Sequence, residues 1–198
     1  MQVEVLEQRR EYDGFFKLEH VKLRFERFDG HMSEAIERIV FERGDSAAVL
    51  LYDEEHNAVV LVEQFRYPVY IREKPEGRLL EIVAGTMDGG RTPESVARSE
   101  LLEEAGYALK ELELVTTFYP SPGACSERIH LYIGYITLGA RIGPGGGVGT
   151  GEDIRVHEVP LDKALDWIRE GVIRDAKTII ALQYLALSRG KGFSSRCR

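Results

Sequence analysis

The chain has 198 residues, 43% hydrophobic and 30% charged, which suits one globular domain, or one with an added subdomain, and supplies enough apolar material for a core. A formal net charge of -7 argues against broad binding to nucleic acid or membrane. It also repels phosphate esters, so an anionic substrate would need local arginines and bound metal to offset the field.

Cys125 and Cys197 have neither metal-ligand spacing nor the look of a disulfide framework, which fits a reducing compartment. The first residues, MQVEVLEQRREYDG, hold no apolar signal core, and no run is long enough to span a membrane, so the expected location is cytoplasmic. No internal repeat stands out.

Strands are expected from about Phe15 to Phe41: Val21, Leu23 and Phe25 alternate with charged residues, Asp29-Gly30 marks a turn, and Ala35, Ile39 and Phe41 resume the alternation. This predicts a hairpin or three-stranded antiparallel sheet ahead of the main domain, with a boundary at Arg43-Gly44-Asp45. Its aromatics (Tyr12, Phe15, Phe16, Phe25, Phe28) form either a local core or a dimer face, since a lone small sheet is rarely stable. SAAVLLY (Ser46–Tyr52) and AVVLVEQF (Ala58–Phe65) are near-continuous apolar runs, which predicts strands buried on both faces. Leu79–Ala84, Leu112–Tyr119, Ile129–Leu138 and Ile154–Val159 read as further strands. Leu161–Glu170 reads as an amphipathic helix, and Asp175 caps a last helix running to Leu187. Between them, RIGPGGGVGTGED (Arg141–Asp153) carries six glycines and reads either as a surface loop or as a mobile lid over a site. The tail from Gly190 is expected to fray.

The chemistry concentrates in EIVAGTMDGGRTPESVARSELLEEAGY, Glu81 to Tyr107. A strand feeds a loop containing Gly85, Gly89 and Gly90, and Thr92-Pro93 then reads as N-cap and first helical residue, with Glu94 in the first turn. Glu100, Glu103 and Glu104 lie at i, i+3 and i+4, on one helical face. Such a trio can be a solvated acidic surface. Next to exposed loop backbone it also offers the oxygen-only ligands that a hard cation such as Mg2+ or Mn2+ takes.

This stretch resembles the Nudix box: a glycine, five residues, Glu, seven residues, then Arg-Glu-apolar-x-Glu-Glu-x-Gly-apolar. Here Gly85 is followed, at that spacing, by Arg91 and then by Ser99-Glu100-Leu101-Leu102-Glu103-Glu104-Ala105-Gly106-Tyr107. Arg91 stands where the pattern has Glu, and Ser99 where it has Arg. The resemblance extends over roughly residues 35 to 190, through RIVFERGDSAAVLL, VVLVEQFRYPV, LLEIVAGTMDGG, FYPSPGACSERIHLY, GEDIRVHEV and DAKTIIALQYL. These are similar to the ADP-ribose pyrophosphatase branch of the Nudix hydrolases, which includes the GDP-mannose hydrolases.

The resemblance implies an α+β fold, the Nudix α/β/α sandwich around a mixed sheet, preceded by a small antiparallel β subdomain. It divides the chain into residues 1–44 (β subdomain, dimerising), 45–190 (hydrolase domain) and 191–198 (flexible tail). It implies hydrolysis of the pyrophosphate bond of a nucleoside diphosphate sugar, ADP-ribose to AMP and ribose 5-phosphate first among them, by a homodimer that needs Mg2+ or Mn2+. By the same resemblance, Glu100 and Glu104 are the first metal ligands, Glu103 is the next ligand and a catalytic residue, and the carbonyl of Ala84 adds another donor. Glu152 is the candidate general base, with metal binding or orientation of the attacking water as its alternative roles, Arg66 the phosphate clamp, Glu81 a contact of the substrate or of Arg66, and Glu127, Arg128 and Lys177 the further substrate contacts. A GDP-mannose-type hydrolase is the alternative within the class. A silent Nudix module that only senses a nucleotide is the alternative outside it, and three adjacent carboxylates argue against that. An isomerase on the same scaffold lacks the Cys and Glu acid-base pair it would need.

Overall fold

A computed structural model of the protein describes residues 1–147 and 153–190. The chain falls into two compact units, Met1–Asp45 with Tyr119–Arg128, and Ser46–Phe118 with Ile129–Arg198.

The first unit is built on an antiparallel sheet in the order β1 (Val3–Asp13), β2 (Lys17–Phe25), β3 (Ile36–Glu42). Strand β1 lies ahead of the segment expected to be extended. Its alternation of Val3 and Val5 with acids is brief, and the charged run that follows hides the pattern. The loop Tyr119–Arg128 belongs to this unit: Phe41 N donates to Ala124 O (2.7 Å) and Ser126 N to Phe41 O (3.2 Å). Among the strand residues of this sheet only Val21 is buried, while Val3, Val5, Leu6, Tyr12 and Ile39 are exposed. Aromatic packing is local, with Phe16 edge-on to Phe41 and Arg43 stacked over the Phe16 ring at 5.2 Å.

The second unit is a mixed seven-stranded sheet with helices on both faces. Its spine is β4 (Ser46–Asp53), fully buried, which runs parallel to β9 (Ile129–Tyr135); the other pairings are antiparallel, and the order is β10-β5-β4-β9-β8. Here β5 is Ala58–Phe65, β8 Glu111–Phe118 and β10 Arg155–Pro160. Alternate side chains of β4 serve two cores. Ala48, Leu50 and Tyr52 pack with Leu161, Ala164, Ile173, Ala181, Leu182 and Leu185, while Ala47, Val49 and Leu51 pack with Val96, Ala97, Leu101, Ala105 and Tyr107. Each fully buried aliphatic side chain contributes roughly 1.5–3 kcal/mol by leaving water. The helices on the first face are α3 (Leu161–Arg169) and α4 (Ala176–Gly190).

One feature of this sheet positions the site. Strands β4 and β5 pair only through Leu51–Asp53 and Ala58–Val60 and then separate. The segment expected as one strand, Leu79–Ala84, is two. β6 (Arg78–Glu81) pairs with β5, β7 (Val83–Thr86) pairs with β4, and Ile82 steps between them. The chain thus fills the split with a change of partner, which a uniform apolar run cannot reveal. A short helix, α1 (Tyr67–Tyr70), follows β5.

Candidate active site

The box begins on β7 and continues into α2 (Pro93–Glu100). Thr92 caps α2 as its sequence indicates: its hydroxyl accepts from Ser95 N at 3.2 Å, with Pro93 in the first turn. Such a cap contributes about 1 kcal/mol. The helix does not continue as α. Leu101–Ala105 forms a π-turn, and Gly106 N donates to both Leu101 O (3.0 Å) and Leu102 O (3.1 Å). Gly106 itself ends the turn in the left-handed region at φ 75°. Wider π-turns often occur at functional sites. Val96, Leu101 and Ala105 anchor this element in the core, which leaves the acids on the other side.

Glu104 is buried, and Glu100 and Glu103 are half-buried. The first box glycine is explained by contact. A Cβ on Gly85 would lie 2.3 Å from the Cδ of Glu100, so only glycine lets that carboxyl sit on the strand. Ala84, whose carbonyl is the expected further donor, precedes it and pairs with Ala48 of β4. Among the described residues, no three His, Cys, Asp or Glu side chains converge closely enough to hold a metal ion. In kind, the donors fit a hard divalent cation: carboxylates one turn apart on a rigid element, with strand backbone beside the first of them.

Beside the box, three of the expected substrate residues meet. Arg66 grips Glu81 with two bonds, Nε to Oε1 at 2.6 Å and Nη2 to Oε2 at 3.1 Å. Lys177 Nζ donates to the same Glu81 carboxylate and lies 3.0 Å from Asp175 Oδ1. Burial pushes the Glu81 carboxyl up, but Arg66 and Lys177 outweigh it and hold the group below its usual range. Burial likewise works to lower the Arg66 pKa; Glu81 reverses this, helped by the fields of Glu104 and Asp175. Arg66 is therefore electrostatically tied to the box turn. The Arg66 side chain keeps 39% exposure, against 3% for Glu81, so Arg66 is the more accessible partner.

Two residues outside the expected set hold this group in place. Asp175 caps α4, accepting from Thr178 N (3.0 Å) and the Thr178 hydroxyl (2.5 Å). Thr178, fully buried, accepts in turn from Ile82 N at 2.9 Å, in the step between β6 and β7. The Asp-x-x-Thr spacing signals the cap, but nothing in the sequence links Thr178 to Ile82, 96 positions away.

The other expected residues are Glu127, Arg128 and Glu152. Glu127 and Arg128 belong to the other unit, where buried Glu127 faces Arg43 Nε at 3.5 Å and Arg128 makes a forked pair with Asp45 (2.6 and 3.3 Å). Glu152 lies outside the described residues. Its neighbour Asp153 is exposed and faces Arg78 at 4.0 Å. The two box positions that depart from the pattern are bonded to each other, Arg91 Nη2 donating to the Ser99 hydroxyl.

Comparison with known proteins shows the family. The NUDIX domain model matches residues 42–181. The chain is 40% identical over 187 residues to a GDP-mannose pyrophosphatase of Cronobacter sakazakii, covering 94% of this chain and 96% of that protein. It is also 40% identical over 185 residues to an ADP-ribose pyrophosphatase of Escherichia coli, covering 93% and 88%. A crystal structure of an ADP compounds hydrolase superposes with a TM-score of 0.72 at 18% identity over 97% of both chains, which supports the fold. With a matching domain model over most of its length and such relatives, the chain belongs to the NUDIX domain family.

Proposed function

We propose that the protein hydrolyses the pyrophosphate bond of a nucleoside diphosphate sugar, with ADP-ribose as the first substrate and AMP and ribose 5-phosphate as products. Water adds to one phosphorus, the bridging P–O bond breaks, and a proton is released. The observation that carries the reading is the seat of Glu100 on Gly85, one turn before buried Glu104 and beside the Arg66–Glu81–Lys177 cluster.

Glu100 and Glu104, with Glu103 and the Ala84 carbonyl, are the groups that would hold a divalent cation, Mg2+ first and Mn2+ as a substitute. Bound there, the cation supplies Lewis-acid neutralisation of the diphosphate oxygens. Arg66 presents its guanidinium to a phosphate, and Glu81 orients it with two bonds. Lys177 adds a second positive charge. Glu152 orients the attacking water, and Glu127 and Arg128 stay as further candidate substrate contacts. With relatives of both names matching at 40% identity, a GDP-mannose-type preference is the second reading.

The protein acts as a cytoplasmic homodimer that pairs through its three-stranded sheet. The support is a sheet whose strands bury only Val21 and leave Val3, Val5, Leu6 and Tyr12 open. Among the described residues no helix is long and apolar enough to cross a membrane.

The test is product analysis with ADP-ribose, GDP-mannose and UDP-glucose in Mg2+ and in Mn2+. Turnover of ADP-ribose to AMP supports the reading. Faster release of GMP from GDP-mannose moves the preference to the second one. No turnover of any of the three sinks the proposal.

A further inference from the structure

The glycine-rich segment after β9 does something the sequence does not announce. Its described part, residues 141–147, lies against the end of the π-turn and satisfies its carbonyls. Ile142 N and Gly143 N donate to Gly106 O (2.8 and 3.1 Å), Gly146 N to Glu104 O (2.8 Å), and Gly147 N to Glu103 O (3.1 Å). Arg141 bridges Tyr107 and donates from its guanidinium to Pro144 O. The last carbonyls of a helix have no partner within it, and here a distant segment provides one for each of these three.

The approach is close enough to demand glycine at defined places. A Cβ on Gly145 would lie 2.6 Å from Glu104 O and 2.9 Å from Ala105 C, and Gly145 sits at φ +61°. A Cβ on Gly106 would lie 2.3 Å from Gly143 O. These obstacles are backbone, which cannot swing aside. Gly143 differs: a Cβ there would meet only Gly106 Cα, at 3.8 Å.

The tethered carbonyls belong to Glu103 and Glu104, two of the residues that would hold the proposed cation. We infer that residues 141–147 are a positioning clamp for the ligand turn, with Gly145 as its critical residue: the clamp holds the turn in its π geometry and so fixes where the Glu103 and Glu104 carboxylates point. The inference rests on the reading of the box carboxylates as cation ligands.

The experiment titrates Mn2+ into the full chain and follows free ion by electron paramagnetic resonance, for wild type, Gly145→Ala, Gly143→Ala and Glu104→Gln. Thermal melting is recorded for each. Gly145→Ala should weaken Mn2+ binding about tenfold, the low end for losing a group that orients a ligand. Gly143→Ala, with room for its methyl, should bind as wild type does. If Gly145→Ala does not fold, Arg141→Gln replaces it, since it removes the bond to Pro144 O without adding bulk, and it should weaken binding in the same direction. Wild-type affinity in a folded Gly145→Ala, or in Arg141→Gln when that replaces it, overturns the clamp, as does equal weakening by Gly143→Ala. A wild-type protein that binds no Mn2+, or a Glu104→Gln variant that binds it unchanged, instead overturns the cation reading beneath.

Discussion

The Arg91 guanidinium donates to the Ser99 hydroxyl, so the two residues that depart from the box pattern form their own bond between the loop and α2. Arg91 also reaches Ser95 O at 3.3 Å and Asp88 at 3.9 Å. Ser99 gives Arg91 a neutral acceptor, and Asp88 lies near its charge. Ser99→Arg should therefore place two guanidiniums together and cost on the order of 1 kcal/mol, whereas Ser99→Arg with Arg91→Glu should return to near wild type. Urea denaturation of both variants checks this, and a Ser99→Arg protein as stable as wild type contradicts the pairing.

Gly85 provides the floor on which Glu100 rests. Gly85→Ala should push the carboxyl off the strand by about an ångström and lower kcat/KM about a hundredfold, the usual consequence of such a misplacement. Far-UV circular dichroism should stay unchanged, because Gly85 is half-buried and its strand pairing to Ala47 needs no side chain. Full activity in Gly85→Ala would mean that Glu100 has no fixed role.

Glu81 joins two cations at the split in the sheet. Glu81→Gln should destabilise the fold by roughly 3 kcal/mol, the low end for a broken buried pair, because Arg66 retains contact with water. Its KM should also rise, since Arg66 loses the two bonds that aim it. Thr178→Val, which removes the acceptor for Ile82 N, should destabilise without touching Arg66 directly. Chemical denaturation and steady-state kinetics on both variants separate the two effects.

Asp53 sets an acid limit on stability. Burial raises its carboxyl pKa, but the Leu138 and His56 backbone N–H groups and the His56 ring bring it down to about 2. A depressed carboxylate stabilises the fold fully above the ordinary aspartate pKa near ~4, and the contribution is lost as pH falls through the lowered value. The contribution is about 2 kcal/mol at neutral pH, and Asp53→Asn should remove it and flatten the stability curve between about pH 4 and pH 2. Denaturation midpoints measured across that range provide the check.

How much the sequence disclosed depends on how local the cause is. The buried strands β4 and β5 follow from unbroken apolar runs, and the Thr92 cap follows from Thr-Pro before an amphipathic stretch. The acids could be placed on one side of a helix, but the π-turn could not be foreseen, because one widened turn leaves no mark on a period of 3.6 residues. The change of partner at Ile82 depends on where β4 and β5 separate, a property of the whole sheet. The Arg66–Glu81 contact is one of two expected for Glu81, but Lys177 lies 96 positions from Glu81, and their meeting exists only in the folded chain. The segment after Arg141 looked like either a surface loop or a lid because glycines lack side chains that would betray a contact. Its described part is held by backbone bonds to Glu103, Glu104 and Gly106.

The most direct test of the account is the rate of AMP formation from ADP-ribose in Mg2+, for wild type and for Glu104→Gln at matched folded concentration. Wild type should form AMP and ribose 5-phosphate, and Glu104→Gln should lose about a thousandfold in kcat, equivalent to several kcal/mol of lost charge stabilisation. A folded Glu104→Gln protein that forms AMP at close to the wild-type rate would contradict it.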